Sequence, residues 1–427
     1  MRRTDVLIVG GGQAGLAMSR CLAAMRIEHV VLERGRVAER WRSERWDSLR
    51  LLTPNWMSRL PGFKYDGPDP DGFMSTSEVV AFFERYATSF PAPLETGTSV
   101  DSIEAAHGQF RVTTSGGVWL ARNVVLATGY ADAPLVPWLA ARLDAGVLQV
   151  VPRDYRSPAA LPRGGVVVIG ASATGIQLAD EIQASGRQVV ISTGQHLRAP
   201  RRYRGRDIMW WLDRAGILDA TVESVFDVDT SRQAPSFQLA GRPDHATIDL
   251  ERLRRAGVIV TGRLKAVDGH RLQFDDDLVK TTAAADVKLA SLLLRLDRAA
   301  GDLREPVEAA EPFEPLWPEF VSAPTGLDLQ DAGIETVIWA TGYTRTYPWL
   351  KLPLLDARGE LLHQGGVTPC AGVYALGLPF QRTRKSAFID GVGADARVLA
   401  EHIAVRLGHG VLRIPGHDTR HDSRIAV

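Results

Sequence analysis

The run Gly10-Gly-Gly12-Gln13-Ala14-Gly15 constrains this chain more than any other stretch of its length. It follows an apolar segment, residues 5–9, and opens a stretch with helical periodicity, residues 13–25. Strand, glycine turn and helix in that order predict a parallel α/β unit. The first glycine makes the tight turn and the second lets backbone approach a pyrophosphate. The third lets helix pack on strand, while the helix N-terminus faces the phosphate charge. A second strand, residues 29–32, runs into Glu33, 23 residues after Gly10. A carboxylate there can accept hydrogen bonds from ribose hydroxyls.

The pattern recurs. Residues 166–169 read as a strand, Gly170-Ala-Ser172-Ala173-Thr174-Gly175 as the turn, residues 173–185 as a helix and 188–191 as a strand. A hydrolase nucleophile elbow would need glycine where Thr174 stands, so that reading fails. Counting 23 residues on from Gly170 reaches Thr193, so no carboxylate awaits a ribose. Arg198, Arg201, Arg202, Arg204 and Arg206 follow. An acid repels a 2′-phosphate, whereas an arginine fork accepts one. The first cradle is therefore expected to hold FAD and the second NADPH, with Arg198 or Arg201 on the 2′-phosphate. The competing reading of these arginines is a solvated face.

The fold class expected is α/β, with two Rossmann-like dinucleotide-binding domains, the NADPH domain inserted into the FAD domain. Residues 41–70 read as a long ordered loop. Ser75 and Glu78 offer a capping box before a helix ending near residue 88. A hairpin is expected at 110–114 and 118–120, with a separate strand at 123–127. The Pro- and Gly-rich residues 157–165 mark a domain crossing. Helices are expected at 207–216 and at about 284–300, the first burying Trp210 and Trp211 rather than touching a membrane. A strand at 335–340, a strand at 372–376 and a helix at about 386–407 would complete the first domain. The partition is 1–157 with 325–407, then 158–324, and a tail at 408–427.

Lysine plus arginine balance aspartate plus glutamate at 50 each. Nothing global then pulls the chain to nucleic acid or an anionic membrane, and neither partner is expected. No run is apolar enough to span a bilayer and no signal-peptide pattern opens the chain, which makes the cytoplasm the default expectation. His409, His417 and His421 fall at no metal-ligand spacing. The two cysteines, Cys21 and Cys370, form no CxxC, which excludes a disulfide framework and a local dithiol. Two nucleotide cradles without a dithiol point to hydride passing through a flavin to oxygen or a bound substrate.

These residues resemble the class B flavin-dependent monooxygenases, a family that includes the flavin-containing monooxygenases and the plant auxin-forming enzymes. The resemblance covers about residues 4–406. It rests on both glycine turns, on Trp41-Arg-Ser-Glu-Arg-Trp46-Asp-Ser-Leu-Arg-Leu-Leu52-Thr53-Pro54, and on Ala127-Thr128-Gly129-Tyr130 and Ala340-Thr341-Gly342-Tyr343. It implies that Trp41, Leu52 and Thr53 line the FAD and that Thr128 and Gly129 sit against it. Arg34, Val100, Thr341, Gly342 and Gly377 complete the implied cofactor set, and both Ala-Thr-Gly-Tyr runs would close strands of the FAD domain. Asn55 is the implied catalytic candidate. The helix from about Ser386 would aim its N-terminus at the flavin ring, favouring reduced flavin by about 0.3–1 kcal/mol.

The resemblance further implies that NADPH reduces the flavin and that O2 adds to it as a hydroperoxide in a dry pocket. A small-molecule substrate then takes one oxygen atom. Two places depart from the family. Leu378 stands where related reductases keep an acid. Ala145, Val147 and Val151 replace the aromatic, glycine and histidine of a segment of which only Tyr155 is kept. The second departure argues against Baeyer–Villiger insertion. It leaves open an NADPH oxidase or diaphorase-like reductase passing electrons to a quinone or protein, or a flavin-binding redox sensor.

Overall fold

The computed structural model describes residues 1–303 and 306–409. Strand β1 (Arg2–Val9) runs parallel to β2 (His29–Leu32) in the register Val6–His29 to Val9–Leu32. Helix α1 (Gln13–Ala24) connects them and buries Leu16, Ala17, Met18 and Leu22. Helix α2 (Thr76–Thr88) starts where the spacing places it: Ser75 and Glu78 form a reciprocal capping box that satisfies two otherwise free N–H groups. β3 (Leu94–Glu95) extends the sheet beside β2. β4 (Val100–Ala106), β5 (Gln109–Thr114) and β6 (Gly117–Leu126) then form an antiparallel meander.

β6 is one strand where the sequence suggested two. Its first half pairs with β5 while both halves pair with β1. Arg122 and Asn123 look like a break, but the alternation continues through them. Arg122 points outward, and the buried Asn123 amide donates to the Asp5 carbonyl at 3.2 Å.

The second sheet holds β7 (Leu148–Val150), β8 (Gly165–Ile169), β9 (Val189–Ser192), β10 (Ile259–Thr261) and β11 (Ile334–Trp339) in the order β7-β11-β8-β9-β10, all parallel. Helix α3 (Ala173–Ala184) joins β8 to β9. Helices α4 (Ile208–Arg214) and α5 (Leu278–Gly301) occupy the regions predicted helical, and Trp211 is part of a buried cluster. β12 (Val373–Ala375) then returns to the first sheet beside β6, and α6 (Ile389–Leu407) packs against α1.

Two expectations are corrected: residues 148–150, expected in the first domain, form β7 at the edge of the second sheet, where Leu148–Val150 pair with β11. The strand at 335–340 was assigned to the first domain, yet β11 lies between β7 and β8 in the second sheet. The chain meets the first sheet again at Leu350, bridged to Ile103 of β4, and then through β12. β11 is buried along most of its length, and a buried parallel strand reads alike in either sheet. Residues 410–427, most of the expected tail with His417 and His421, lie outside the described residues. Among the described residues, no helix is long and apolar enough to cross a membrane.

Candidate functional site

The two glycine turns are near copies in space. Gly10 has φ +107° and Gly170 φ +109°, a left-handed region that side chains penalise. Each donates its N–H to the end of the neighbouring strand: Gly10 to Leu32 at 2.8 Å, Gly170 to Ser192 at 2.9 Å. A β-carbon on Gly10 would stand 2.9 Å from the carbonyl carbon of Ala127, and one on Gly170 3.0 Å from that of Ala340. Gly15 and Gly175 are pressed onto the backbone of Gly10 and Gly170 respectively, so neither tolerates a side chain. The outer position is open. A β-carbon on Gly12 would meet nothing within 4 Å. Helices α1 and α3 begin at Gly12 and Ser172 with no side-chain cap, leaving first-turn N–H groups to face whatever enters. These are the observations that make both turns fit a pyrophosphate.

The turns differ beyond that. Glu33 accepts the N–H of Gly11 at 2.7 Å through Oε2 and that of Gly35 at 2.9 Å through Oε1, which fixes its carboxylate over the first cradle. Residues 95 and 98 run alongside, exchanging backbone bonds with Glu33, and Val100 follows half-buried at the start of β4. The corresponding place in the second cradle holds Thr193, fully buried with its hydroxyl unpartnered. Arg263, just beyond β10, lays its guanidinium over the next residue, 3.3 Å from where a side chain on Gly194 would start. No motif marked Arg263, because it comes from a strand edge distant in sequence.

The arginines chosen from sequence are committed elsewhere. The side chain of Arg198 is 10% exposed and ion-paired with Asp286 and, at 3.5 Å, with Asp249. Arg201 is 1% exposed, pairs with Asp207 and donates to the Leu52 carbonyl at 2.8 Å. Neither presents a free fork. Arg201 instead ties the Leu52–Thr53 stretch to the second domain. Asn55, the catalytic candidate, is 4% exposed and spends its amide on backbone: Nδ2 donates to Asp69 at 2.9 Å and Oδ1 accepts from Met74 at 2.7 Å. It shapes a loop.

Around the first turn, Gln13 donates to the Ala387 carbonyl at 2.6 Å, bringing the start of α6 next to that of α1. Gly377, at φ +86°, approaches Ala14 so closely that a β-carbon would come within 2.8 Å. Trp41 packs against both main apolar clusters. Arg34 is exposed and 3.8 Å from Glu44. Thr128 lies against the first turn, followed by Gly129 at φ +79°. Thr341 lies against the second, not the first, because β11 belongs to the second sheet. Its hydroxyl donates to the Leu135 carbonyl, and Leu135 donates to Gly342 at 2.9 Å. A short antiparallel ribbon, with Tyr343 opposite Pro134, thus links the two cradles.

Residues 7–211 match the family model for pyridine nucleotide-disulphide oxidoreductases. An uncharacterized CzcO-like oxidoreductase of Geobacillus kaustophilus is 32% identical, over 93% of this chain and 98% of its own. Indole-3-pyruvate monooxygenase YUCCA1 of rice is 31% identical, over 85% of this chain and 81% of its own. The chain belongs to the class B flavin-dependent monooxygenase family. A flavin-containing monooxygenase from Stenotrophomonas maltophilia shares the fold, with a TM-score of 0.66 at 20% identity over 95% of this chain and all of that one. As a member of the family the protein is a flavin-dependent oxidoreductase, with FAD and NADPH as its cofactors.

Proposed function

We propose that this flavoenzyme uses NADPH and O2 to place one oxygen atom in a small molecule. The balance is NADPH, H+, O2 and substrate giving NADP+, water and oxygenated substrate. The observation that carries the reading is the unlike treatment of a ribose by two cradles of one geometry: Glu33 over the first, Thr193 and Arg263 at the second. Gly10, Gly12, Gly15 and Glu33 hold the FAD adenosine and pyrophosphate. Gly170, Ser172 and Gly175 hold those of NADPH, and Arg263 meets its 2′-phosphate. When bound, FAD supplies hydride acceptance and O2 activation.

The protein's own work is positioning and exclusion of water. Tyr155 donates to Glu181 on α3 at 3.3 Å, and Ser48 donates to the same carboxylate at 2.9 Å, bracing the second domain on the first. Burial pushes the Cys21 thiol up to about 12 and raises that of Cys370, which disfavours a thiol exit for the electrons. The test is a turnover under 18O2 with sulfide and ketone probes. One labelled oxygen in the product, with NADPH consumed in step, is expected. Only hydrogen peroxide from every probe would establish the oxidase alternative, which the apolar packing of Val151 favours because no histidine stands there.

A further inference from the structure

The two glycine turns are braced through different groups. In the first, Glu33 accepts the N–H of Gly11 at 2.7 Å, so one carboxylate both grips the turn and faces the ribose place. In the second, Thr193 stands where that acid would be. There the brace comes through a carbonyl. Gln238 donates from Nε2 to the carbonyl of Ala171, the residue after Gly170, at 2.8 Å. Gln238 has no exposed surface and Ala171 is 5% exposed.

Tertiary structure holds Gln238 in place. Phe237–Gln238 pairs in parallel with Leu197–Arg198, with Arg198 opposite Gln238, and Asp286 and Asp249 anchor Arg198 in turn. Three residues on, Gly241 is pressed onto the Leu51 carbonyl, whose carbon would lie 3.0 Å from a β-carbon there. The strip 237–241 thus runs from the second turn to the Leu51–Leu52 stretch of the first domain. The Oε1 atom of Gln238 is buried with no partner. An unmet buried acceptor is a cost that a hydrocarbon side chain of similar length would not carry. The use of an amide at this position therefore lies in the bond it does make, to Ala171.

We propose that Gln238 is the positioning residue of the second cradle, holding its turn for the NADPH pyrophosphate and tying it to the Leu51–Leu52 stretch. The inference rests on the functional reading above, through its assignment of NADPH to that cradle. The carbonyl of Ala171 and the N–H of Ser172 belong to one planar trans peptide and point opposite ways. Holding the carbonyl against the buried amide turns the N–H away from it, to join the uncapped N–H groups at the start of α3. The tie to the first domain then sets how far the nicotinamide reaches towards the flavin. The change of brace has a reason in charge. An acid placed like Glu33 would hold the turn but repel a 2′-phosphate. A neutral amide holds the turn and leaves the phosphate its place beside Arg263.

Anaerobic stopped-flow mixing of the FAD holoenzyme with NADPH or NADH gives a coenzyme dissociation constant and a hydride-transfer rate constant. No oxygenation is involved, so failure of oxygen insertion leaves the result untouched. Gln238→Leu is expected to slow hydride transfer about tenfold or more and to weaken binding about threefold or more. The factors should be equal for the two coenzymes, because the turn serves both, whereas Arg263→Ser should act on NADPH alone. Tm and flavin content should stay near the wild-type values, since one unmet oxygen replaces another. Should Gln238→Leu not accumulate, Gln238→Met, similar in length and equally without a donor, is expected to show the same losses. Unchanged rate and binding, a loss confined to NADPH, a loss in step with lowered Tm or flavin content, or failure of both variants to fold would overturn the proposal. A wild-type flavin that NADPH leaves oxidised would instead overturn the assignment of the second cradle, and the proposal with it.

Discussion

Gly170 stands against Ala340 so closely that a β-carbon on the glycine would lie 3.0 Å from the alanine carbonyl carbon. Gly10 meets Ala127 in the same way at 2.9 Å. Each Ala-Thr-Gly-Tyr run therefore forms the far wall of its own nucleotide turn. The chain carries two complete cradles in two sheets, and the runs continue into a ribbon that sets one against the other. In the proposed reaction the hydride donor and the hydride acceptor would be held at these two edges.

The duplication predicts opposite phenotypes for two like substitutions. Alanine at either turn must adopt a left-handed φ, costing about 1–3 kcal/mol before any clash with the facing carbonyl. Gly10→Ala should be purified with little flavin, read from the 450 nm absorbance. Gly170→Ala should keep its flavin while its KM for NADPH rises about tenfold or more. Equal flavin loss in both would mean the cradles have been assigned wrongly.

Arg263 and Arg198 separate coenzyme choice from stability. Arg263→Ser should raise the KM for NADPH about tenfold or more, through loss of a charge-assisted contact, and leave that for NADH alone. Arg198→Ser should act on stability. It strands Asp286, whose side chain is 5% exposed and also accepts the N–H groups of Leu316 at 2.7 Å and Trp317 at 3.1 Å. Removing one partner of a buried pair costs about 3–5 kcal/mol, visible as a lowered Tm. A selective effect of Arg198→Ser on NADPH, at unchanged Tm, would restore the sequence-based choice.

The glycine turns, their flanking strands and helices and the capping box were legible because each is local: spacing and backbone demand specify them within a few residues. The membership of β11 was not, since Thr336, Val337 and Ile338 suit the middle of any parallel sheet. Arg198 and Arg201 looked free because their partners, Asp286 and Asp207 with Leu52, are set by tertiary packing. Arg263 escaped notice for the converse reason, since it reaches Gly194 only once β10 is folded beside β9. A surface arginine acquires meaning only when folding denies it a carboxylate.

The cysteines offer a test of where electrons go, since thioredoxin and bacillithiol disulfide reductases share the fold. The Cys21 thiol, raised to about 12 by burial, stays protonated throughout the working range, and burial raises Cys370 as well. A protonated thiol is a poor nucleophile. The Cys21→Ala, Cys370→Ser double variant should be reduced by NADPH at the wild-type rate, and iodoacetamide at pH 8 should leave the native enzyme unaffected. Loss of turnover on alkylation would require a thiol step.

Asp395 on α6 makes stability depend on pH in an unusual direction. It is 2% exposed, its Oδ2 lacks a partner, and burial raises its pKa to about 6 despite a hydrogen bond with Ser386. In the unfolded chain an aspartate titrates near 3.9. Between these values the folded protein binds the proton more tightly, so this group's contribution to stability falls as pH rises from about 4 to about 6 and is level above. The full difference is about 3 kcal/mol. Histidines with lowered pKa, such as the half-buried His29 and the buried His196, act oppositely over part of that range, so the comparison must be between variants. Urea unfolding of wild type and Asp395→Asn at pH 4, 5, 6 and 7 should show the variant gaining on the wild type from pH 4 to about 6 and the difference levelling off by pH 7. Parallel curves would mean that Asp395 ionises normally in the folded protein.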